Sequence, residues 1–382
     1  MPRYCQSCIL PDTRPGVHLN ADGVCNACKN VAGKSAIDWA ARHDAFVELV
    51  KNVKAHDTGR AAWDCVIPVS GGKDSFWQVV TCLEHGLRPL CITYSYPGQN
   101  DHGRRNLQKL IAIGVDHFDF HLNPRVERTF IEQAFRKTAI SGLVTHMAIF
   151  TVPLNMAIAY GIPLVVYGEN TAFEYGDSDD ALTGALLDRA WLKKFGVTEG
   201  TEAHDWIGHG GLTHGDLRPL AYPTDAQLTA AGTRAIFMGY YFPWDVETSA
   251  RTAFAHGFQG KPDGALVGTY DYVNIDDIFI PVHHHPKWHK FGITRSWDNL
   301  SIEIRNGRIT RDAAINKLRD IGDETPTESI RAFSEYLGIG VAEYHRIVES
   351  FRNPAIWSRR DNRWVIDDFL VPDFPWPEDP AT

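Results

Sequence analysis

Residues 65–69 form a short apolar run that stops at Ser70-Gly71-Gly72-Lys73-Asp74-Ser75, and a helical pattern starts at once near Asp74. A buried strand that turns on two glycines straight into a helix admits few folds. Strand and helix patterns go on alternating downstream. "DSFWQVVTCLEHG" reads as a helix closed by Gly86, "RPLCITYSY" as a strand, "HGRRNLQKLIAIG" as a helix ending at Gly114 and "DHFDFHL" as a strand. "RVERTFIEQAFRKTAI" and "MAIFTVPLNMAIAYG" read as helices, and "IPLVVYGEN" as a further strand. This order predicts an α/β fold with a parallel sheet covered on both faces. Ligands of such sheets sit at the carboxyl ends of the strands, where both "SGGKDS" and "YGEN" fall.

Two glycines after a strand let the backbone approach a ligand, with N–H groups turned into a concave nest. The positive end of the following helix faces the same spot. The turn is therefore a candidate phosphate cradle, with hydroxyl donors on Ser70 and Ser75 and a point charge on Lys73. It lacks the Walker spacing, because an aspartate, not Ser or Thr, follows the lysine. A carboxylate beside a phosphate repels it unless a cation lies between them, which makes Asp74 a candidate Mg2+ ligand. The plainer alternative is a helix-capping aspartate on an ordinary turn.

Cys5-x-x-Cys8 and Cys25-x-x-Cys28 lie in a turn-rich head with little apolar periodicity. A segment this small needs a staple, and two CxxC pairs make a closed four-thiolate site for structural Zn2+. A redox CxxC needs only one pair. Cys65, Cys82 and Cys91 fall in strand or helix patterns, where an inert buried thiol is the default.

Lys plus Arg number 38 against 47 Asp plus Glu, a net charge of −9 with no long basic run, which argues against nucleic acid as a partner. No apolar run reaches the ~20 residues of a membrane span, and no signal-peptide core opens the chain, so it reads as cytoplasmic with no membrane partner. The expected organisation is a zinc knuckle over 1–34, a connecting helix over 35–58 and a nucleotide-binding sheet over 59–175. A mostly helical substrate region over 176–365 and an extended, Pro-rich acidic tail over 366–382 complete it. Helical stretches are expected over 311–320 and 327–337, while the order from 174 to 281 is hard to read.

"SGGKDS" after an apolar strand resembles the PP-loop of the ATP pyrophosphatase superfamily, whose members share a Rossmann-like sheet of PP-loop/HUP type. The resemblance implies ATP as cofactor, its pyrophosphate on the loop, and attack of a substrate oxygen on the α-phosphate. "YCQSCILPDTRPG", "DGVCNAC", "PVSGGKDS", "GENTAFEYG", "GYYFPWD" and "KFGITRSWDNLSIEIRNGRITRDAAI", in this order, are together similar to the N-acetyl sugar amidotransferase family. That family implies conversion of a sugar acetamido group to an acetamidino group, usually in synthesis of bacterial surface glycans such as lipopolysaccharide. Cys5, Cys8, Cys25 and Cys28 match its zinc-knuckle head, and Ser70 to Ser75 its loop. Pro2, not a cysteine, follows Met1, and no other cysteine sits in a glutaminase-like elbow, so nitrogen is expected from free ammonium or a separate glutaminase, and the family resemblance implies the glutaminase partner.

Gly168, Glu169 and Asn170 end a strand and are candidates to face the nucleotide or metal, with Glu174 a weaker one for the substrate. Lys287, Lys290 and Arg295 are candidate cations for the α-phosphate. His283, His284 and His285, in what reads as an extended segment, point to alternate faces and so do not make a ligand set. Tyr240, Tyr241 and Trp244 are a candidate stacking wall, with ordinary core aromatics equally expected. The rival function is a PP-loop tRNA thiolase with a similar head, which would need further reactive cysteines and an RNA-binding surface.

Overall fold

The computed structural model describes residues 1–55, 61–168, 185–195 and 197–377. Its centre is a five-stranded sheet in the order β3-β2-β1-β4-β5, parallel throughout. The strands are β1 (Cys65–Pro68), β2 (Pro89–Tyr94), β3 (Asp116–Phe120), β4 (Leu164–Tyr167) and β5 (Arg234–Phe237). β1 and β2 pair Cys65 with Pro89 through Pro68 with Ile92. Successive side chains of a strand point to opposite faces. Val66, Leu90, Ile92 and Val165 accordingly join one core cluster, while Cys65, Ile67, Cys91 and Val166 join the other.

The first face is covered by α5 (Pro124–Thr138) and α6 (Leu143–Tyr160), through Phe130, Phe135, Val144 and Ala148. The second is covered by α3 (Lys73–Glu84), α4 (Asp101–Ile111) and α7 (Val246–Ala255), through Phe76, Val79, Leu107 and Ala253, with Phe46 of α2 (Trp39–Ala55) outside them. α6 is the one described helix long and apolar enough to cross a membrane, with a mean hydropathy of 1.4. Its apolarity is accounted for by the sheet: Val144, Ala148, Val152 and Leu154 are all buried.

Past the sheet, α8 (Ile280–Phe291), α9 (Arg295–Arg305), α10 (Arg311–Ile321), α11 (Thr327–Leu337) and α12 (Val341–Glu349) precede the antiparallel pair β6 (Trp357–Arg360) and β7 (Arg363–Ile366). The helical expectation for this region holds. Two details are corrected. The three histidines lie on helix α8, not in an extended segment, and all three are buried. The tail is not free as far as it is described: Phe374 packs 5.5 Å from Trp288, and Trp376 stacks 6.2 Å from the same ring. Aromatic residues among the prolines supply the burial that the acidic composition hides.

α1 (Asn26–Gly33) follows the second cysteine pair, and the head docks on the C-terminal helices. Arg311 donates to the carbonyls of Cys8 and Cys5, Thr13 to that of Phe291, and Tyr4 stacks on Trp297.

Candidate functional site

Chain order reverses between β1 and β4, and the crevice at the carboxyl ends of these neighbours is where such sheets hold ligands. The glycine turn closes it. Gly71 has φ 85°, and a Cβ there would lie 2.6 Å from the Leu107 amide nitrogen of α4. Only glycine fits, on conformation and on space. Gly72 differs: its φ of −71° is open to any residue, and it serves as the N-cap of α3. Two side chains brace the turn, with Ser70 N–H donating to Ser75 Oγ at 3.1 Å and Gly72 N–H to Ser70 Oγ at 3.2 Å.

Lys73 does not reach into the crevice. Its ammonium donates to both oxygens of Asp74, at 2.7 and 2.8 Å, and to Ser249 Oγ of α7 at 3.1 Å. The Trp244 ring lies 5.0 Å from it, and the Trp244 indole N–H donates to Asp74 Oδ1 at 3.2 Å. A carboxylate next to a phosphate site needs a cation, and here the neighbouring lysine is that cation. Asp74 also lines the crevice, so a magnesium ion held there would share this carboxylate with the ammonium. Trp244 therefore belongs to the support of the loop. Tyr240 and Tyr241 face α2, Tyr240 under the Arg42 guanidinium at 4.1 Å and Tyr241 against Phe46 at 5.4 Å.

Above the turn lies a cavity of about 240 Å³. Ser70, Asp74, Ser75 and Gln78 form its floor, Tyr94, Tyr96, Tyr167 and Gly168 the strand ends, and Ile149, Phe150 and Pro153 of α6 a wall. Pro153 has no N–H for the carbonyl four residues earlier, that of Ile149. Tyr167 supplies the missing donor, its hydroxyl 3.3 Å from Ile149 O and 3.1 Å from Phe150 O. Gly168 O accepts from Gly239 N–H at 2.8 Å, tying the end of β4 to the segment after β5. Glu169, Asn170 and Glu174 lie outside the described residues.

One acidic pair escaped sequence reasoning. Asp276 accepts from Tyr96 OH at 2.9 Å, so a carboxyl 180 residues along the chain braces the rim of the cavity. Burial raises Asp276 above the usual carboxylate range, and burial first, then the Asp276 charge, pushes Asp277 up to about 7. The only signal in the sequence was the doubled aspartate in "NIDD".

None of Lys287, Lys290 and Arg295 is among the described residues lining this cavity. Lys290 donates to the Thr138 carbonyl and lies 3.9 Å from Glu199. Lys287 and Arg295 share a separate cluster with Asp298. Cys65, Cys82 and Cys91 are fully buried; the Cys82 thiol and then burial push the Cys65 thiol up, and burial pushes up that of Cys91, which is unsuited to sulfur transfer.

The four head cysteines do converge. Their sulfurs all lie within 4.8 Å of one another, Cys5 3.9 Å from Cys28 and Cys8 3.7 Å from Cys25. A tetrahedral zinc with bonds of about 2.3 Å requires sulfurs about 3.8 Å apart. Backbone N–H groups of Cys8 and Cys25 point at the Cys5 sulfur, at 3.4 and 3.2 Å, and that of Cys28 at the Cys25 sulfur, at 3.4 Å, which suits thiolate charge. The donor set fits zinc.

Residues 254–369 match the family model described as LPS biosynthesis protein WbpG-like, C-terminal domain. The match covers less than a third of the chain and takes in Asp276, Lys287, Arg295 and the helices from α8 to α12. Among solved structures, the NMN synthetase from Francisella tularensis aligns over 85% of this chain and 100% of that one, at 12% identity. Its TM-score is 0.29, too low to carry an argument. No curated protein sequence matches the chain.

Proposed function

We propose that the chain is an ATP-dependent, AMP-forming amidotransferase acting on an N-acetyl sugar in surface-glycan synthesis. The observation that carries the reading is the cavity at the sheet's reversal point with the braced Ser70–Ser75 turn as its floor. The match to a lipopolysaccharide-biosynthesis family over 254–369 supports the biosynthetic setting.

An amide carbonyl is a weak electrophile, and its oxygen leaves poorly. Attack of that oxygen on the α-phosphate of ATP expels pyrophosphate and gives an imidate ester of AMP. Ammonia then adds at the imidate carbon, AMP departs with the original acetamido oxygen, and loss of a proton leaves the acetamidino group. The chain's part is positioning and charge stabilisation. Backbone N–H groups of the turn and the hydroxyls of Ser70 and Ser75 would hold departing pyrophosphate. The Lys73–Asp74 pair sets the start of α3, and Tyr94, Tyr96 and Tyr167 would enclose the acceptor. Magnesium would arrive with ATP, and ammonia from a separate glutaminase.

The deciding experiment supplies nucleotide-linked N-acetyl sugars labelled with 18O in the acetamido group, plus ATP, Mg2+ and an ammonium salt. Products are read by mass spectrometry. Label appearing in AMP, in step with a sugar in which NH replaces O, is the expected result. AMP without label, or thiolated tRNA when a sulfur donor is given, would overturn it.

A further inference from the structure

Gln78 is a polar side chain on the cavity floor that takes no part in bracing the glycine turn. Asp74 and Ser75 precede it by four and three residues, so the three share one face of α3, and all three line the cavity. Gln78 is 4% exposed, and its Nε2 donates to the Val166 carbonyl of β4 at 3.2 Å. A carbonyl only accepts, so the nitrogen end of the amide must face β4, which settles the orientation of the side chain. Its other end, Oε1, has no hydrogen-bond partner among the described residues and is not sealed in the core, so it opens on the cavity. Gly168 leaves the room for this: a Cβ there would lie 3.0 Å from Gln78 Cδ and 3.2 Å from Oε1. Any side chain at that position would press on the amide.

Gln78 stands about 4.5 Å along the helix axis from Ser75, at ~1.5 Å per residue. A group that meets its Oε1 must bring a donor and lie close to the phosphates. Phosphate oxygens bring no N–H, and the adenine amino group is a ribose further from the reacting phosphorus. The acetamido N–H of an acceptor is bonded to the very carbon whose oxygen attacks, which makes it the donor placed nearest.

We propose that Gln78 Oε1 accepts a hydrogen bond from the acetamido N–H of the acceptor, and so selects secondary amides and stabilises their adenylation. The inference rests on the function proposed above. As the acetamido oxygen bonds to the α-phosphorus, the bond to pyrophosphate breaks and the nitrogen lone pair moves into the C–N bond. Positive charge grows on the nitrogen, which keeps its proton through this step. A carbonyl oxygen aimed at that N–H therefore binds the transition state more tightly than the ground state.

The test measures kcat and KM for wild type and Gln78→Met, with ATP, Mg2+, an ammonium salt and the nucleotide-linked N-acetyl sugar that wild type turns over best. The same sugar with an N-methylacetamido group, which has no N–H, is the comparison. Gln78→Met should lower kcat for the N–H sugar at least about tenfold and leave KM for ATP within about twofold. Wild type should also prefer the N–H sugar to its methylated analogue by a factor at least about tenfold larger than Gln78→Met does. Equal preference in the two proteins would overturn the proposal while leaving the reaction standing. A raised KM for ATP with kcat kept would give the contact to adenine and overturn it too. No acetamidino product from any N-acetyl sugar of the panel would sink the proposed function, and this contact with it. Should Gln78→Met fail to fold, the acetamido proton resonance of the 15N-labelled sugar bound to wild type decides. A downfield move on binding is expected, and an unmoved resonance would refute the contact.

Discussion

Lys73 and Lys287 each hold an ammonium inside the fold, and their surroundings are opposite. Lys73, 3% exposed, is met by both oxygens of the next residue and by the Ser249 hydroxyl. Lys287 is met by a neutral imidazole, with two guanidiniums nearby and one carboxylate among them. The first lysine is satisfied within the protein and serves architecture. The second has a neutral partner, and burial makes its charge costly.

The sharpest way to break the loop side of this comparison is Gly71→Ala. The left-handed backbone and the 2.6 Å approach to Leu107 predict roughly 2 kcal/mol or more of lost stability. AMP formation should fall at least about 100-fold, since small displacements of positioning groups cost that much. Gly72→Ala is its control and should stay within about 1 kcal/mol by urea denaturation. Equal effects at the two glycines would refute the close-approach account. Next comes Asp74→Asn, which leaves the Lys73 charge without its carboxylate and should cost about 1–3 kcal/mol, allowing for the partial exposure of Asp74. In a double-mutant cycle, Lys73→Met with Asp74→Leu should lose less than the two single variants summed.

Lys287 gives the next largest contrast, and it is a matter of pH. Its folded pKa of about 7 lies below the unfolded value near 10.4, so the unfolded chain holds more protons between them. The contribution of Lys287 to stability therefore improves as pH rises through about 7 and is lost as pH falls back. Urea midpoints of wild type relative to Lys287→Met should rise from pH 6.5 to 9.5, and a flat difference would place Lys287 in ordinary solvent. The smallest effect belongs to Trp244→Phe, which removes one N–H donor from Asp74 at about 0.5–1.5 kcal/mol. It should change the midpoint at pH 7 without altering the pH dependence.

This contrast also shows what the sequence could disclose. Ser70 to Ser75 are neighbours in the chain, and their turn is built from local hydrogen bonds, so composition and order reveal it. The parallel sheet was legible for the same reason, since β1, β2 and β4 are apolar runs bounded by turns. The cluster on α8 depends on α6, on the head and on α9 at once, and no local pattern encodes that meeting. Pro281 and Pro286 made α8 read as extended, yet Pro281 sits in its first turn, where no intrahelical donor is needed. Asp276 was hidden likewise, because its partner Tyr96 lies far away along the chain. β5 is four residues long with an arginine at its start, too brief for a periodic signal.

The docking of the head has a consequence for how the molecule is made. Thr13 meets Phe291, Arg14 meets Asp298, and Arg311 meets Cys5 and Cys8, contacts that span 278 to 306 residues of chain. The head can gather a metal as soon as its own residues have been made. Its seat does not exist until Phe291, Asp298 and Arg311 have been translated, so the head waits in solution through synthesis of the sheet. Contacts so distant in sequence close late and slowly.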